Sequence, residues 1–318
     1  MTLLNIRLFG SLSIQRNGQE LGGLHAGKAQ ELLCYLLLHR DKPHPREALG
    51  TLLWGDCTSV QSKKYLRQTL WQLHQGLHGT KPLDHERMLL VDSECVRLDT
   101  TSDFRLDVAV MEDAFSPVRK VAGQQLDQAQ ADALRNATTL YAGDLLEGWF
   151  ADWCLFERER LQSMYLSMLD KLMAYCESHH EYEDGMAHGE QMLRRDRACE
   201  RTYIRLMRLQ YLAGDRAGAI RQFHRCAAAL QEELGVRPAK RTLELFEQIR
   251  ADSLEHCTPP KPNGVPGQDT ALVSLSSLPA RLKTIYLLLL QVRNRLDQDL
   301  DAVEKALADQ SGSHTDIR

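Results

Sequence analysis

The stretch SVQSKKYLRQTLWQLHQGL, Ser59 to Leu77, sets the reading of the N-terminal third of the chain. Leu66, Leu70, Leu73 and Leu77 recur at i, i+4, i+7 and i+11, which places them on one face of a period-3.6 helix. Advancing 100° per residue puts Lys64, Gln68, Trp71 and Gln75 on the opposite face, with Lys63 and Arg67 on its flanks. The stretch contains no acidic residue. A water-facing side that mixes lysine, glutamine and tryptophan without counter-charge is unusual for a solvated helix. It has the chemistry of a surface meant for an anionic partner.

Working outward, residues 1–24 alternate apolar and polar in short runs, Leu4, Ile6 and Leu8 and then Leu12 and Ile14, with Gly10 and Asn17-Gly18 as turns. This pattern predicts a small antiparallel meander. KAQELLCYLLLHR, from Lys28, is too continuously apolar for a surface helix and predicts a central one. Pro43 and Pro45 break it, and PREALGTLLW restarts a helix that ends at Trp54-Gly55-Asp56. After the Ser59–Leu77 helix, Met88–Val91 and Cys95–Leu98 read as two strands joined by Asp92-Ser93-Glu94. Sheet, three helices and hairpin within residues 1–100 are the layout of a winged helix-turn-helix, whose third helix enters the DNA major groove.

Beyond Phe104 the patterning gives no further strand. Helices are expected at Val108–Phe115, Gln125–Tyr141, Trp153–His179, Glu183–Arg194, Cys199–Leu212, Arg216–Leu234 and Ala239–Ala251. EDGMA at Glu183–Ala187 and RAGAI at Arg216–Ile220 are offset by 33 residues. That period suits tetratricopeptide-type hairpins, which stack into a surface for partners. The fold class is therefore mainly α, with the winged helix at 1–100 and an all-α tetratricopeptide-like domain at 101–253. A linker follows at 254–278, where HCTPPKPNGVPGQDT is rich in proline and glycine. A helix and tail at 279–318 carry Leu282, Ile285, Leu289, Val292, Leu296 and Val303 at a/d-like spacing. This stripe suits either self-association into a homodimer or packing within one chain.

Three segments, taken together and in order, resemble the bacterial transcriptional activators of the antibiotic-regulatory-protein type. They are KAQELLCYLLLHRDKPHPREALGTLLWGD with KKYLRQTLWQL, LYAGDLLEGWFADWCLFERERLQSMYLSMLDKL at Leu140–Leu172, and AGDRAGAIRQFHRCAAALQEELGVRPAKRTLELFEQI at Ala213–Ile249. Such proteins pair an OmpR-like winged helix with a bacterial transcriptional activation domain. The resemblance covers residues 3 to 251. It implies sequence-specific binding to double-stranded promoter DNA at direct repeats and recruitment of RNA polymerase. The family's recognition helix is richer in arginine where this chain has Gln72, His74, Gln75 and His78, which implies assistance from a dimer or from polymerase.

Residue chemistry leads the same way. Glutamine reads adenine through paired hydrogen bonds and lysine suits guanine O6/N7, so Lys64, Gln68 and Gln75 are candidate base readers, with Trp71 set against a sugar or a thymine methyl. Lys63 and Arg67 point sideways and suit phosphates, as do Lys28, Arg46 and Arg97 at the preceding helix starts and on the wing. Trp71 has a second reading as a structural prop. Two other functions fit the helical region: an adaptor that binds protein, or a sensor whose helical concavity takes a small-molecule signal.

Charge supports an N-terminal anionic partner. The chain's formal net charge is −4, yet residues 1–99 hold twelve basic and ten acidic residues, net +2, leaving 27 against 33, net −6, for the remainder. The eight cysteines are scattered without a CxxC pair, and the histidines lack HExxH spacing, so neither a metal nor a cofactor is expected. Phosphate-binding glycine loops and nucleophile turns are absent from the sequence, so no enzyme activity is expected. The N-terminus lacks the pattern of a signal peptide, and IYLLLL at Ile285–Leu290 is too short to span a bilayer. A cytoplasmic protein without membrane contact is the expectation.

Overall fold

The structure is a computed structural model and describes residues 4–21, 27–78, 88–99 and 104–254. The expected linker from residue 255 onward and the helix and tail at 279–318 lie outside the described residues.

Strand β1 (Leu4–Arg7) pairs antiparallel with β2 (Ser13–Arg16), Ile6 opposite Ile14. Asn17 and Gly18 both adopt positive φ, 50° and 82°, which suits the two-residue connection to β3 (Gln19–Glu20). Leu4, Ile6 and Leu8 are buried, as the alternation requires. Helix α1 (Lys28–Leu38) is the central one, with Leu32, Leu33, Cys34, Leu36 and Leu37 at most 1% exposed. The two-residue strand β4 (His44–Pro45) leads straight into α2 (Arg46–Leu53).

Helix α3 (Ser59–His78) is 20 residues long, about 30 Å at 1.5 Å per residue. Thr58 and Gln61 start it by exchanging side-chain and backbone hydrogen bonds, a reciprocal cap. All four leucines of its stripe are buried, at 7% exposure or less. They face α1 and α2. At about 25 cal/mol per Å², a stripe of four such side chains contributes several kcal/mol of burial energy, so the leucines decide which face of α3 is left for water. The wing follows as β5 (Leu89–Val91) and β6 (Cys95–Leu98), antiparallel with Leu90 opposite Arg97, and β4 adds a third strand on the other side of β6.

The structure corrects the sequence reading of the N-terminal sheet. Strand β7 (Phe104–Leu106) follows the wing and pairs parallel with β1, giving the sheet order β3-β2-β1-β7. The N-terminal sheet is therefore mixed and not purely antiparallel. Three residues are too few for alternation to show, and the strand runs directly into α4 (Asp107–Phe115). The Asp107 carboxylate sits at this junction. It accepts from the backbone N–H of Leu8 (2.8 Å), Phe9 (2.9 Å) and Val108 (2.7 Å).

Helices α5 (Gln128–Thr139), α6 (Asp152–Ser178), α7 (Tyr182–Arg195), α8 (Glu200–Leu212), α9 (Arg216–Leu234) and α10 (Lys240–Arg250) follow within three residues of their expected bounds. From α6 onward, consecutive helices pack on one another as hairpins. Gly185 and Gly218, 33 residues apart, begin α7 and α9 and are both buried. A side chain at Gly185 would press on Leu209 and Cys176 of the neighbouring helices, whereas one at Gly218 would collide with the Asp215 carboxylate that caps α9, so the repeated glycine answers to a different neighbour at each position. Gly235, at φ 67°, ends α9 in the left-handed conformation, with Val236 N–H donating back to Leu230; this is the physical content of the ELGV turn. The N-terminal sheet is also stitched to the loop before α6: Leu146 N–H donates to Leu8 and Gly10 N–H to Asp144.

Candidate nucleic-acid interface

Burial of the leucines turns the other side of α3 outward. Lys64, Gln68 and Gln75 are exposed, and Trp71 keeps 63% of its surface in water. At 100° per residue these four lie within an arc of about 60°. Arg67 is exposed at the edge of that arc and has no acceptor among the described residues, and neither has Lys64. The tryptophan is thus not held in the core.

The phosphate candidates divide into two groups. Arg46, Lys63 and Arg67 come together around a cleft of about 600 Å³, closed by Pro45, Glu47, Leu66, Ser93 and Glu94, where the starts of α2 and α3 meet the wing turn. Lys28 and Arg97 do not line it. The Lys28 ammonium is paired with Glu31 at 2.7 Å, one turn along α1. Arg97 is exposed on β6.

Within the cleft the cations are not equally available. Lys63 donates to Glu47 at 2.7 Å, and this bond holds the Glu47 carboxyl below the usual carboxylate range. Arg46 Nη1 donates to the Asp92 carbonyl at 3.0 Å, while its backbone N–H donates to the Glu94 carbonyl at 2.8 Å. Arg46 therefore clamps the wing turn onto α2. At the tip, Asp92 Oδ1 accepts from the N–H groups of Cys95 (2.6 Å) and Glu94 (2.8 Å), which push its pKa down and fix a negative charge beside Glu94. The acid-free character belongs to α3 itself; α2 and the wing bring carboxylates to its first turns.

Sequence reasoning missed two residues of this surface. Glu47 lies 16 residues before Lys63, and no local pattern connects them. Val60, 80% exposed, sits on the same side of α3 as Lys64 and was open to the angular argument that found Trp71. Tyr65, 38% exposed, leans on Trp54 at 6.0 Å between ring centres, away from the arc.

Comparison with known proteins adds two findings. Residues 106–250 match the family described as bacterial transcriptional activator domain. Among solved structures, the chain is similar to Mycobacterium tuberculosis EmbR in complex with a low affinity phosphopeptide, with 18% sequence identity and a TM-score of 0.60. The likeness covers 79% of this chain and 66% of that one, a winged helix followed by a helical domain. No curated protein sequence matches the chain. Among the described residues, no helix is long and apolar enough to cross a membrane.

Proposed function

We propose that this chain is a DNA-binding transcription regulator, an activator that reads promoter DNA through α3 and engages RNA polymerase through its helical region. The observation that carries the reading is the division of α3. Its leucines are spent on the core, and an acid-free face with Lys64, Arg67 and two glutamines is left to solvent. Carboxylates on that face would meet phosphate, and their absence fits a helix built to enter a groove. The match of residues 106–250 to bacterial transcriptional activator domains supports the second half. Binding at direct repeats by two copies, through the helical region or residues 279–318, belongs to the same reading.

In roles, Lys64, Gln68 and Gln75 face base edges, with Trp71 as an apolar contact beside them. Arg67 and Lys63 take phosphates at the mouth of the groove, Arg46 sets the wing, and Lys28 and Arg97 reach flanking phosphates. A mobility-shift titration against duplexes from the chain's own upstream region tests this. Gln68→Ala should weaken binding and relax preference at one base pair, at a cost of about 1–3 kcal/mol. Arg67→Ala should weaken all sequences alike and lower the salt slope by about one. If the unaltered chain ignores every duplex at low salt, the regulator reading fails.

A further inference from the structure

We propose that Val60 and Trp71 are apolar readers of thymine, each set against a 5-methyl group, so that the helix recognises a site with two methyl-bearing pyrimidines. The proposal rests on the DNA-reading role of α3 argued above and names what that face selects. On α3 the exposed large apolar residues are Val60 (80%), Tyr65 (38%) and Trp71 (63%). Tyr65 stands about 100° from Lys64 and has the Trp54 ring as a neighbour at 6.0 Å. Val60 and Trp71 stand about 40° and 20° from Lys64, on the side that carries the polar readers. Single exposed apolar residues are ordinary on a protein surface. Two of them on the arc of Lys64, Gln68 and Gln75, the third directed elsewhere, form a pattern.

An isopropyl group has no donor or acceptor. In the major groove the one apolar feature that distinguishes a base is the C5 methyl of thymine. Val60 is the second residue of α3, in the N-terminal turns with which a recognition helix approaches base edges. The eleven residues from Val60 to Trp71 span about 16 Å of helix, or about five base steps at 3.4 Å. Lys64 and Gln68 lie between them, so the polar readings fall inside the two apolar ones.

The test begins with duplexes selected by the full chain from a random library. Each thymine of the selected site is then replaced singly by deoxyuridine, which keeps every hydrogen-bonding group and removes only the methyl. The expected loss is about fourfold at each of two positions about five steps apart, the value of one buried methyl-sized group. Val60→Ala should abolish the loss at one position and Trp71→Ala at the other, both variants melting like the parent. Deoxyuridine duplexes that bind within about twofold of thymine overturn the proposal and leave the DNA role standing, since such a difference is well below one buried methyl. Losses that persist in both alanine variants overturn it as well, by assigning the methyls to other residues. A selection that enriches no sequence removes the DNA role itself, and this inference with it.

Discussion

Glu47 restrains the interface it borders. Its carboxylate holds Lys63 at 2.7 Å, so any phosphate must compete with a partner already in place. Both side chains are largely exposed, 76% and 53%, and an exposed pair of this kind contributes little to folding. Glu47→Gln should therefore leave the melting temperature unchanged while freeing Lys63. DNA affinity at low salt should rise several-fold and the salt slope steepen by about one, as measured by binding isotherms across a salt series. An unchanged slope would mean that Lys63 makes no phosphate contact. The sequence could reveal the chemistry of Lys63 but not its engagement, because Glu47 belongs to another helix. The same limit applies to Arg46, whose side chain serves the wing turn through the Asp92 carbonyl. Val60 is the opposite case: the angular rule that places Trp71 on the outer face of α3 places Val60 there too.

At the scale of elements, legibility follows length. Helices of eight residues or more were readable because period 3.6 repeats within them, and the Leu66–Leu77 stripe is buried as its spacing predicts. Strands β4 and β7 were not readable. Two or three residues cannot show alternation, and their pairing partners lie 52 and 100 residues away in register, His44 with Val96 and Leu4 with Phe104. The turn at Gly123–Gln125 was missed for a related reason: its glycine is required by a neighbour and not by its own φ. A Cβ there would fall against the Lys171 carbonyl oxygen and 2.5 Å from the Ala174 Cβ, both on α6. Backbone cannot yield as a side chain does, so Gly123→Ala should destabilise by about 1–3 kcal/mol or more, read by denaturant unfolding. Gly189→Ala makes a useful contrast. Its Cβ would meet Leu206 and the Met173 terminus, flexible side chains that can move, and alanine regains helix propensity of roughly 1 kcal/mol. If Gly123→Ala proves no worse than Gly189→Ala, the close seating of that turn on α6 is incorrect.

For the whole molecule, charge and pH act through different residues. The charge is divided, net +2 in residues 1–99 and −6 in the remainder, so an anionic duplex of the kind proposed would be favoured at the N-terminal part and disfavoured at the rest. Stability near neutral pH depends on two histidines at helix packing sites. Burial lowers the pKa of His39, at the end of α1, below its ordinary 6.5; Glu157 opposes the fall, and Lys42, His44 and Arg160 add to it. Burial likewise lowers His188 on α7, with Arg135 assisting and Asp184 and Gln191 opposing. In the unfolded chain both rings bind a proton near 6.5, whereas the folded chain resists it. The unfolded state therefore holds more protons just below that value, and stability rises with pH there. Their contribution is complete above 6.5 and drains away as pH falls through the window beneath it. Asp107 has the reverse sign: burial raises its pKa from 3.8, so protonation favours the fold, but over the lower range proper to a carboxylate. Thermal melts between about pH 7.5 and about pH 5.5 should show a falling melting temperature, and His188→Gln should flatten the decline. A melting temperature that holds or rises across that interval would show that these half-buried rings are not neutral in the folded chain.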